Sequence, residues 1–276
     1  MPQRDDARPG ERSEYWAALL EGEDGGLELF QRMMRKIPTA PRCKLCQAPF
    51  AGPVAPLLRL AGFRRWSLNQ QICKMCVRDL EKHQGGAEIP VSLLYVDVRG
   101  STALAETMSA MEFTDSLNRF YAVTSKAIDS ELGVIDHIAG DGVMALWIPA
   151  FVGKSHPLHA VTAGRRITEE LAHPSEGAKV PAGVAVHTGQ AYVGVVGEPG
   201  ARDFTVLGDT ANTVARLSSS AAAGELVISD AIALAAEMDT TGLDHHTFDL
   251  KGKAEPFPAW VWRVDDGPPA TQLFAD

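Results

Sequence analysis

The spacing of apolar residues changes character along this chain, and each change marks a different kind of element. Between Tyr15 and Ile37 it is helical: Tyr15, Trp16, Leu19 and Leu20, a Gly25-Gly26 break, then Leu27, Leu29, Phe30, Met33, Met34 and Ile37 until Pro38 stops the pattern. This predicts a pair of helices that cover a core; a dimerising or signalling pair is the alternative. Residues 1–12 are polar and are expected to be disordered. From Val91 onward, short apolar runs bounded by turn residues alternate irregularly with helical stretches. Strands are predicted over 91–98, 133–138, 143–148, 182–188, 191–196, 226–228, 246–250 and 258–264. Helices are predicted from Ser101/Thr102, through Phe113–Ile128, over 155–173, from Gly208 to Ser220, and near 231–237. Hairpins among these strands argue for an α+β fold with a mixed or antiparallel sheet rather than a doubly wound one.

This organises the chain into an N-terminal tail and helical segment (1–38), a cysteine-bearing module (39–84), a linker (85–90) punctuated by Gly85-Gly86 and Pro90, a main domain (91–264) and a C-terminal tail (265–276). No apolar run approaches the roughly eighteen residues a membrane helix needs, and the first residues hold no apolar signal core. The expectation is a soluble cytoplasmic protein with no membrane contact.

Net charge of −9 conceals an asymmetry: residues 31–82 hold eleven Lys/Arg against two Asp/Glu, whereas residues 83–276 hold twelve against twenty-five. A basic module beside an acidic one suggests either docking of the two or contact with nucleic acid, docking being favoured. Arg59, Arg64, Arg65 and Trp66 interleave charge with an aromatic ring, which keeps nucleic-acid contact open.

All four cysteines lie in two CxxC pairs, Cys43/Cys46 and Cys73/Cys76, separated by twenty-six residues. Two residues between cysteines let both thiolates face one ion, and two such turns close a tetrahedral site with no open position. A structural Zn²⁺ is expected; an iron–sulfur cluster is the rival, and would make the module a redox sensor. A module of this size buries little core unaided, so metal is expected to make it fold.

Asp97 ends the 91–98 strand, where a carboxylate is poorly solvated unless a cation sits on it; its alternative role is to cap the next helix. Asp141, forty-four residues on, stands between Gly140 and Gly142 at a hairpin turn. Two such carboxylates suit hard divalent cations.

In order along the chain, Tyr95–Thr102 (YVDVRGST), Ala139–Ala145 (AGDGVMA), His187-Thr188-Gly189 and Leu207–Leu217 (LGDTANTVARL) together resemble the catalytic domain of class III nucleotidyl cyclases, the adenylyl and guanylyl cyclases. The resemblance covers about residues 90–264 and implies a ferredoxin-like core working as a head-to-tail homodimer with shared interface sites. It implies that Asp97 and Asp141 hold two Mg²⁺ or Mn²⁺ per site, that Asn212 orients the ribose and that Arg216 stabilises the transition state, the two pairs coming from different protomers. The purine-reading lysine of the family falls at His137, its aspartate partner at Thr205, and an arginine often following His-Thr-Gly is Gln190. Lys251 matches a lysine on the terminal phosphates. Histidine can donate to adenine N1 and threonine can accept from its amino group; with the Glu/Cys pair of guanylyl cyclases absent, ATP is the expected substrate and 3′,5′-cyclic AMP and pyrophosphate the products. The competing expectation is a catalytically silent adaptor that binds nucleotide or nucleic acid through the basic module.

Overall fold

The computed structural model describes residues 9–66, 70–82, 85–174, 180–197 and 203–264. The chain forms two compact units. The first holds Met1–Ile89, Ile148–Gly153 and Tyr192–Val206; the second holds Pro90–Trp147, Lys154–Ala191 and Leu207–Asp276. None of the described helices is long and apolar enough to cross a membrane.

In the first unit, α1 (Pro9–Glu21) buries Trp16, Leu19 and Leu20. It begins inside the stretch expected to be disordered, with a proline in its first turn, where the missing N–H costs nothing. The Gly25-Gly26 pair does not break a helix but opens one: Asp24 caps α2 (Gly25–Arg35) by accepting from the Leu27 N–H at 2.6 Å. Gln31, buried on α2, donates to the Leu45 carbonyl at 2.7 Å and ties the helix to the first cysteine turn. Short α3 (Ala55–Leu60) and α4 (Lys74–Lys82) complete the module, and the Tyr15 hydroxyl donates to Asp79 of α4 at 2.8 Å.

The main sheet begins with β1 (Gly86–Val98), which takes in the stretch read as a linker. Next come α5 (Ser101–Thr107), α6 (Ala110–Ser130), the hairpin of β2 (Val134–Ala139) and β3 (Gly142–Trp147), the one-turn α7 (Pro149–Val152), α8 (His156–Ala172) and β4 (Ala182–Val196). A β-α-β-β-α-β order with strands arranged β2-β3-β1-β4 is the ferredoxin-like arrangement. Long α6 is started by a capping box between Ser109 and Glu112. It packs on α8, and both helices lie against the sheet. Apolar Leu93, Leu94, Val96, Val143, Ala145 and Leu146 fill the centre, fully or nearly fully buried.

Beyond β4 the chain adds β5 (Asp203–Leu207) on β4, then α9 (Asp209–Ser220), β6 (Glu225–Ser229), α10 (Asp230–Ala235), β7 (Asp244–Phe248) and β8 (Phe257–Arg263). The sheet order is β2-β3-β1-β4-β6-β8-β7; β6 pairs parallel to β4, and β6–β8 and β8–β7 are antiparallel.

A buried polar seam fastens the centre of this unit. The Ser92 hydroxyl donates to Thr188 Oγ1 at 3.1 Å, which donates to the Val91 carbonyl at 2.7 Å. With the serine proton so used, His156 Nδ1, 2.8 Å away, carries the proton and donates to Ser92. His187 Nδ1 meets Ser229 Oγ at 2.8 Å. Burial pulls both imidazoles down from 6.5 to about 4, helped at His187 by Lys253 and opposed there by Asp209. The unfolded chain therefore binds more protons between those values, so stability is present above pH 6.5 and is lost as pH falls toward 4. The slope is at most about 1.4 kcal/mol per pH unit for each histidine. Urea midpoints measured across that window should show it, and His187→Asn should flatten the slope; an unchanged slope in that variant would remove His187 from the account.

Candidate active site

Asp97 and Asp141 are brought together by strand register. β1 and β3 pair antiparallel with Asp97 opposite Gly142, and the Val98 N–H donates to the Asp141 carbonyl at 3.1 Å. The turn carrying Asp141 needs glycine on both sides for different reasons. Gly140 holds a φ of +59°, the positive value required at the first position of this two-residue turn. At Gly142, a Cβ would stand 2.5 Å from the Tyr95 hydroxyl. Tyr121 on α6 fixes the turn from outside by donating to the Gly140 carbonyl.

The two carboxylates act on each other. Burial, then the charge of Asp141, push the Asp97 carboxyl above its usual range, with Arg99 pulling the other way. Burial and both carboxylates also push up the Tyr95 phenol. The site has more negative charge than one guanidinium balances. Two hard oxygen donors, partly desolvated and mutually repelling, fit a divalent cation such as Mg²⁺ or Mn²⁺.

Arg99 joins this pair to the next element. Its Nη1 lies 3.6 Å from Asp97 Oδ2, and its Nη2 donates to the Ser218 carbonyl near the end of α9. Gly183 makes room: a Cβ there would stand 2.5 Å from Arg99 Nε. Helix α9 thus turns Val214, Leu217 and Ser218 inward. Asn212 and Arg216, four residues apart and two from Ser218 in the case of Arg216, share another face; Asn212 is exposed and Arg216 half-buried. Arg99 thus links Asp97 to the Ser218 carbonyl near the end of α9, while Asn212 and Arg216 lie elsewhere along that helix.

Arg216 has its own charged neighbourhood. Gly252, at φ +82°, brings the Leu250–Lys253 turn so close that a Cβ would lie 3.4 Å from the guanidinium. Lys253 pairs with Asp209 in the first turn of α9, and that bond, with Arg216 and His187 nearby, holds the Asp209 carboxyl below its usual range. Lys251 itself is exposed on the same turn. His-Thr-Gly contributes packing: His187 and Thr188 belong to the buried seam, and a Cβ on Gly189 would meet Thr210 Oγ1 of α9 at 2.8 Å.

His137 is exposed on β2, beside a bulge at Asp136 where the β2–β3 register shifts, and its Nδ1 lies 2.6 Å from Asp136 Oδ2. Thr205 is half-buried on β5 and belongs to the first unit.

In the first unit, Cys43, Cys46, Cys73 and Cys76 are buried with all four Sγ atoms within 4.8 Å of one another; Cys43–Cys76 and Cys46–Cys73 are 3.9 and 3.7 Å apart. A tetrahedral Zn²⁺ with bonds of about 2.3 Å places its sulfurs about 3.8 Å apart. N–H groups of Cys73 and Cys76 donate to Cys43 Sγ and Cys73 Sγ at 3.2 and 3.4 Å. Hydrogen bonds from Cys43, Cys46 and Cys76 hold the Cys73 thiol far below its usual range, while Cys46 and Cys76 are pushed up by their sulfur neighbours and by burial. The donor set fits a metal ion.

Residues 86–261 match the family described as the adenylate and guanylate cyclase catalytic domain. The chain belongs to this family. An adenylate cyclase of Anabaena cylindrica is 30% identical over 167 residues, 57% of this chain and 33% of that protein. An uncharacterised protein of Mycobacterium tuberculosis is 32% identical over 177 residues, 62% of this chain and 32% of that protein. The chain thus spans about a third of the length of the relatives it matches. Among solved structures, the guanylyl cyclase Cya2 superposes with a TM-score of 0.60 at 25% identity, covering 64% of this chain and 93% of that one. The adenylyl cyclase CyaB from P. aeruginosa superposes at 0.57 and 24% identity, covering 64% and 94%, a likeness of fold.

Three residues of the cyclase domain escaped the sequence reading. Arg99 and Asp209 stand inside the quoted motifs and Lys253 two residues after Lys251, but their partners Ser218, Lys253 and Asp209 are distant in sequence. Their roles depend on tertiary contacts. The one available signal at Arg99 and Asp209 is a charge inside an otherwise apolar or glycine-rich motif.

Proposed function

We propose that this class III cyclase converts ATP to 3′,5′-cyclic AMP and pyrophosphate at sites shared between two antiparallel copies of the chain. The observation that supports the reading is the Asp97/Asp141 pair, set close by strand register, together with Asn212 and Arg216 four apart on α9, Asn212 being exposed and so open to a second copy. In this reading a two-fold related copy brings its own α9 to these carboxylates and completes each site.

Asp97 and Asp141 would hold two divalent cations, whose chemistry is to acidify the ribose 3′-hydroxyl and neutralise the triphosphate. Asn212 orients the ribose so that its 3′-oxygen faces the α-phosphorus. That oxygen gives its proton to solvent and forms the new P–O bond as the bond to pyrophosphate breaks, and pyrophosphate leaves with the electron pair. Arg216, permanently charged and planar, stabilises the charge gathering on the α-phosphoryl oxygens. Lys251, carried on the turn that Lys253 anchors to Asp209, meets the terminal phosphates. Tyr95 and the two turn glycines keep the carboxylates close and partly dry.

Adenine recognition rests on His137 and Thr205. His137 Nδ1 is held 2.6 Å from Asp136 Oδ2, and in this reading the ring meets adenine N1 while Thr205 meets its amino group. The test is to incubate the protein with ATP or GTP and Mg²⁺ or Mn²⁺ and separate the products. Cyclic AMP alone supports the reading; cyclic GMP alone, or no cyclic nucleotide from a folded dimer, overturns it. His137→Lys supplies a charged ammonium donor at this position and should raise kcat/KM for ATP about tenfold, the worth of one charge-assisted hydrogen bond. An unchanged kcat/KM for ATP in that variant would show that His137 does not read the base.

The four-cysteine centre is proposed to hold a structural Zn²⁺ that stabilises the N-terminal module. Support comes from the 3.7–3.9 Å sulfur separations, which suit a single ion; a cluster with several irons between the sulfurs would spread them wider.

A further inference from the structure

The basic residues of segment 31–82 have no part in the cyclisation chemistry, yet several are brought to one place. Arg59, Arg64, Lys74 and Arg78, with Trp66 and Met75, line a cleft of about 600 Å³ in the first unit. The fold of the cysteine module puts them there. Arg59 sits in the last turn of α3, and Gly62, at φ +95°, reverses the chain behind it. Arg64 and Trp66 then flank the bridge that Arg65 makes with Cys73, and the Lys74 N–H donates to the Arg64 carbonyl at 2.7 Å. Lys74 and Arg78 are four apart in α4 and share a face.

These cations are not neutralised where they stand. Arg59 donates to the Phe50 carbonyl at 2.9 Å. The side chains of Arg64, Lys74 and Arg78 have no acid or hydrogen-bond partner among the described residues. Asp79, next in sequence to Arg78, is taken up by the Tyr15 hydroxyl. All four cations are exposed, and half-buried Trp66 lines the same cleft. Concentrated positive charge without a carboxylate attracts an anion, and an indole face offers a stacking platform for an aromatic base. The volume suits one small ligand rather than a strand, which needs a groove that runs on.

We propose that this cleft is a nucleotide-binding site: the phosphates lie on Arg64, Lys74 and Arg78, and the base stacks on Trp66. It would make the cysteine module a receptor for a nucleotide, independent of the residues assigned to cyclisation. The proposal does not rest on the identity of the cyclase substrate.

The test uses the full, zinc-loaded chain carrying Asp97→Asn, without added divalent cation, so that the metal-dependent catalytic site does not contribute. ADP, inorganic phosphate and a single-stranded oligoribonucleotide are titrated by calorimetry and tryptophan fluorescence. ADP should bind saturably and quench, inorganic phosphate should bind more weakly, and Arg64→Ala/Lys74→Ala should weaken ADP by about tenfold or more. Trp66→Phe should abolish the quench but keep calorimetric binding, whereas Trp66→Ala should lose binding. Zinc content checks that each variant is folded, and Arg78→Ala is an independent third probe. Unchanged ADP affinity in the double variant and in Arg78→Ala would overturn the site. Phosphate binding as tightly as ADP would overturn base recognition, and oligonucleotide binding without ADP binding would replace the proposal with a strand-binding surface.

Discussion

Replacing Asp97 with asparagine is expected to lower cyclase turnover by a factor of about a thousand or more, which is about 4 kcal/mol of transition-state stabilisation. The loss should come without loss of fold. Asp97 is held in the folded state against burial and against the charge of Asp141, so removing its charge relieves repulsion. Arg99 keeps its bond to the Ser218 carbonyl in the variant. Calorimetry should therefore give a Tm equal to or above that of the parent while the chromatographic assay gives no cyclic nucleotide. Wild-type rates in Asp97→Asn would remove Asp97 from the metal site. A lowered Tm with lost activity would instead make it a structural residue.

The same variant tests the shared site. Arg216→Ala should lower kcat by a factor of about a hundred to a thousand, as expected for a group acting on transition-state charge. Mixing Asp97→Asn with Arg216→Ala chains in equal amounts should restore about a quarter of wild-type activity, since half the dimers are mixed and each carries one intact site of two. No recovery from mixed dimers would place all four residues in one chain's own site.

What was legible in the chain was whatever the local pattern encodes. Asp97 at the end of an apolar run, Asp141 in a Gly-Asp-Gly turn, and Asn212 and Arg216 at helical spacing each announce themselves within ten residues. What stayed hidden depended on a distant partner. Gly85-Gly86 and Pro90 looked like linker punctuation, but β1 already starts at Gly86. That glycine is there because a Cβ would meet the Val193 carbonyl at 2.4 Å, a close strand approach invisible in sequence. Arg99 looked like one more motif letter; its partner is more than a hundred residues away. The Gly25-Gly26 pair read as a break because glycine is a poor helix former, yet the Asp24 cap outweighs that local preference.

Removing one thiolate of the four-cysteine centre should have the second large effect, this time on folding. Structural zinc in a small module contributes on the order of 10 kcal/mol, more than such a module's core supplies by itself. Cys43 is fully buried, receives the Cys73 N–H through its sulfur, and holds the first cysteine turn by accepting the Gln47 N–H at its carbonyl. In Cys43→Ser the protein should lose its stoichiometric zinc, and segment 39–84 should become open to limited proteolysis. The second unit draws its core from β1, β3, β4 and β6 and contains no zinc ligand, so its cooperative unfolding transition should persist. Metal analysis, proteolysis mapping and calorimetry on one preparation decide the matter. If zinc stays bound and the segment stays protected, the cysteines are packing residues. If the purified parent is brown and contains iron instead of zinc, the centre is a redox site. If the whole chain unfolds in a single step on losing zinc, the module also stabilises the catalytic unit.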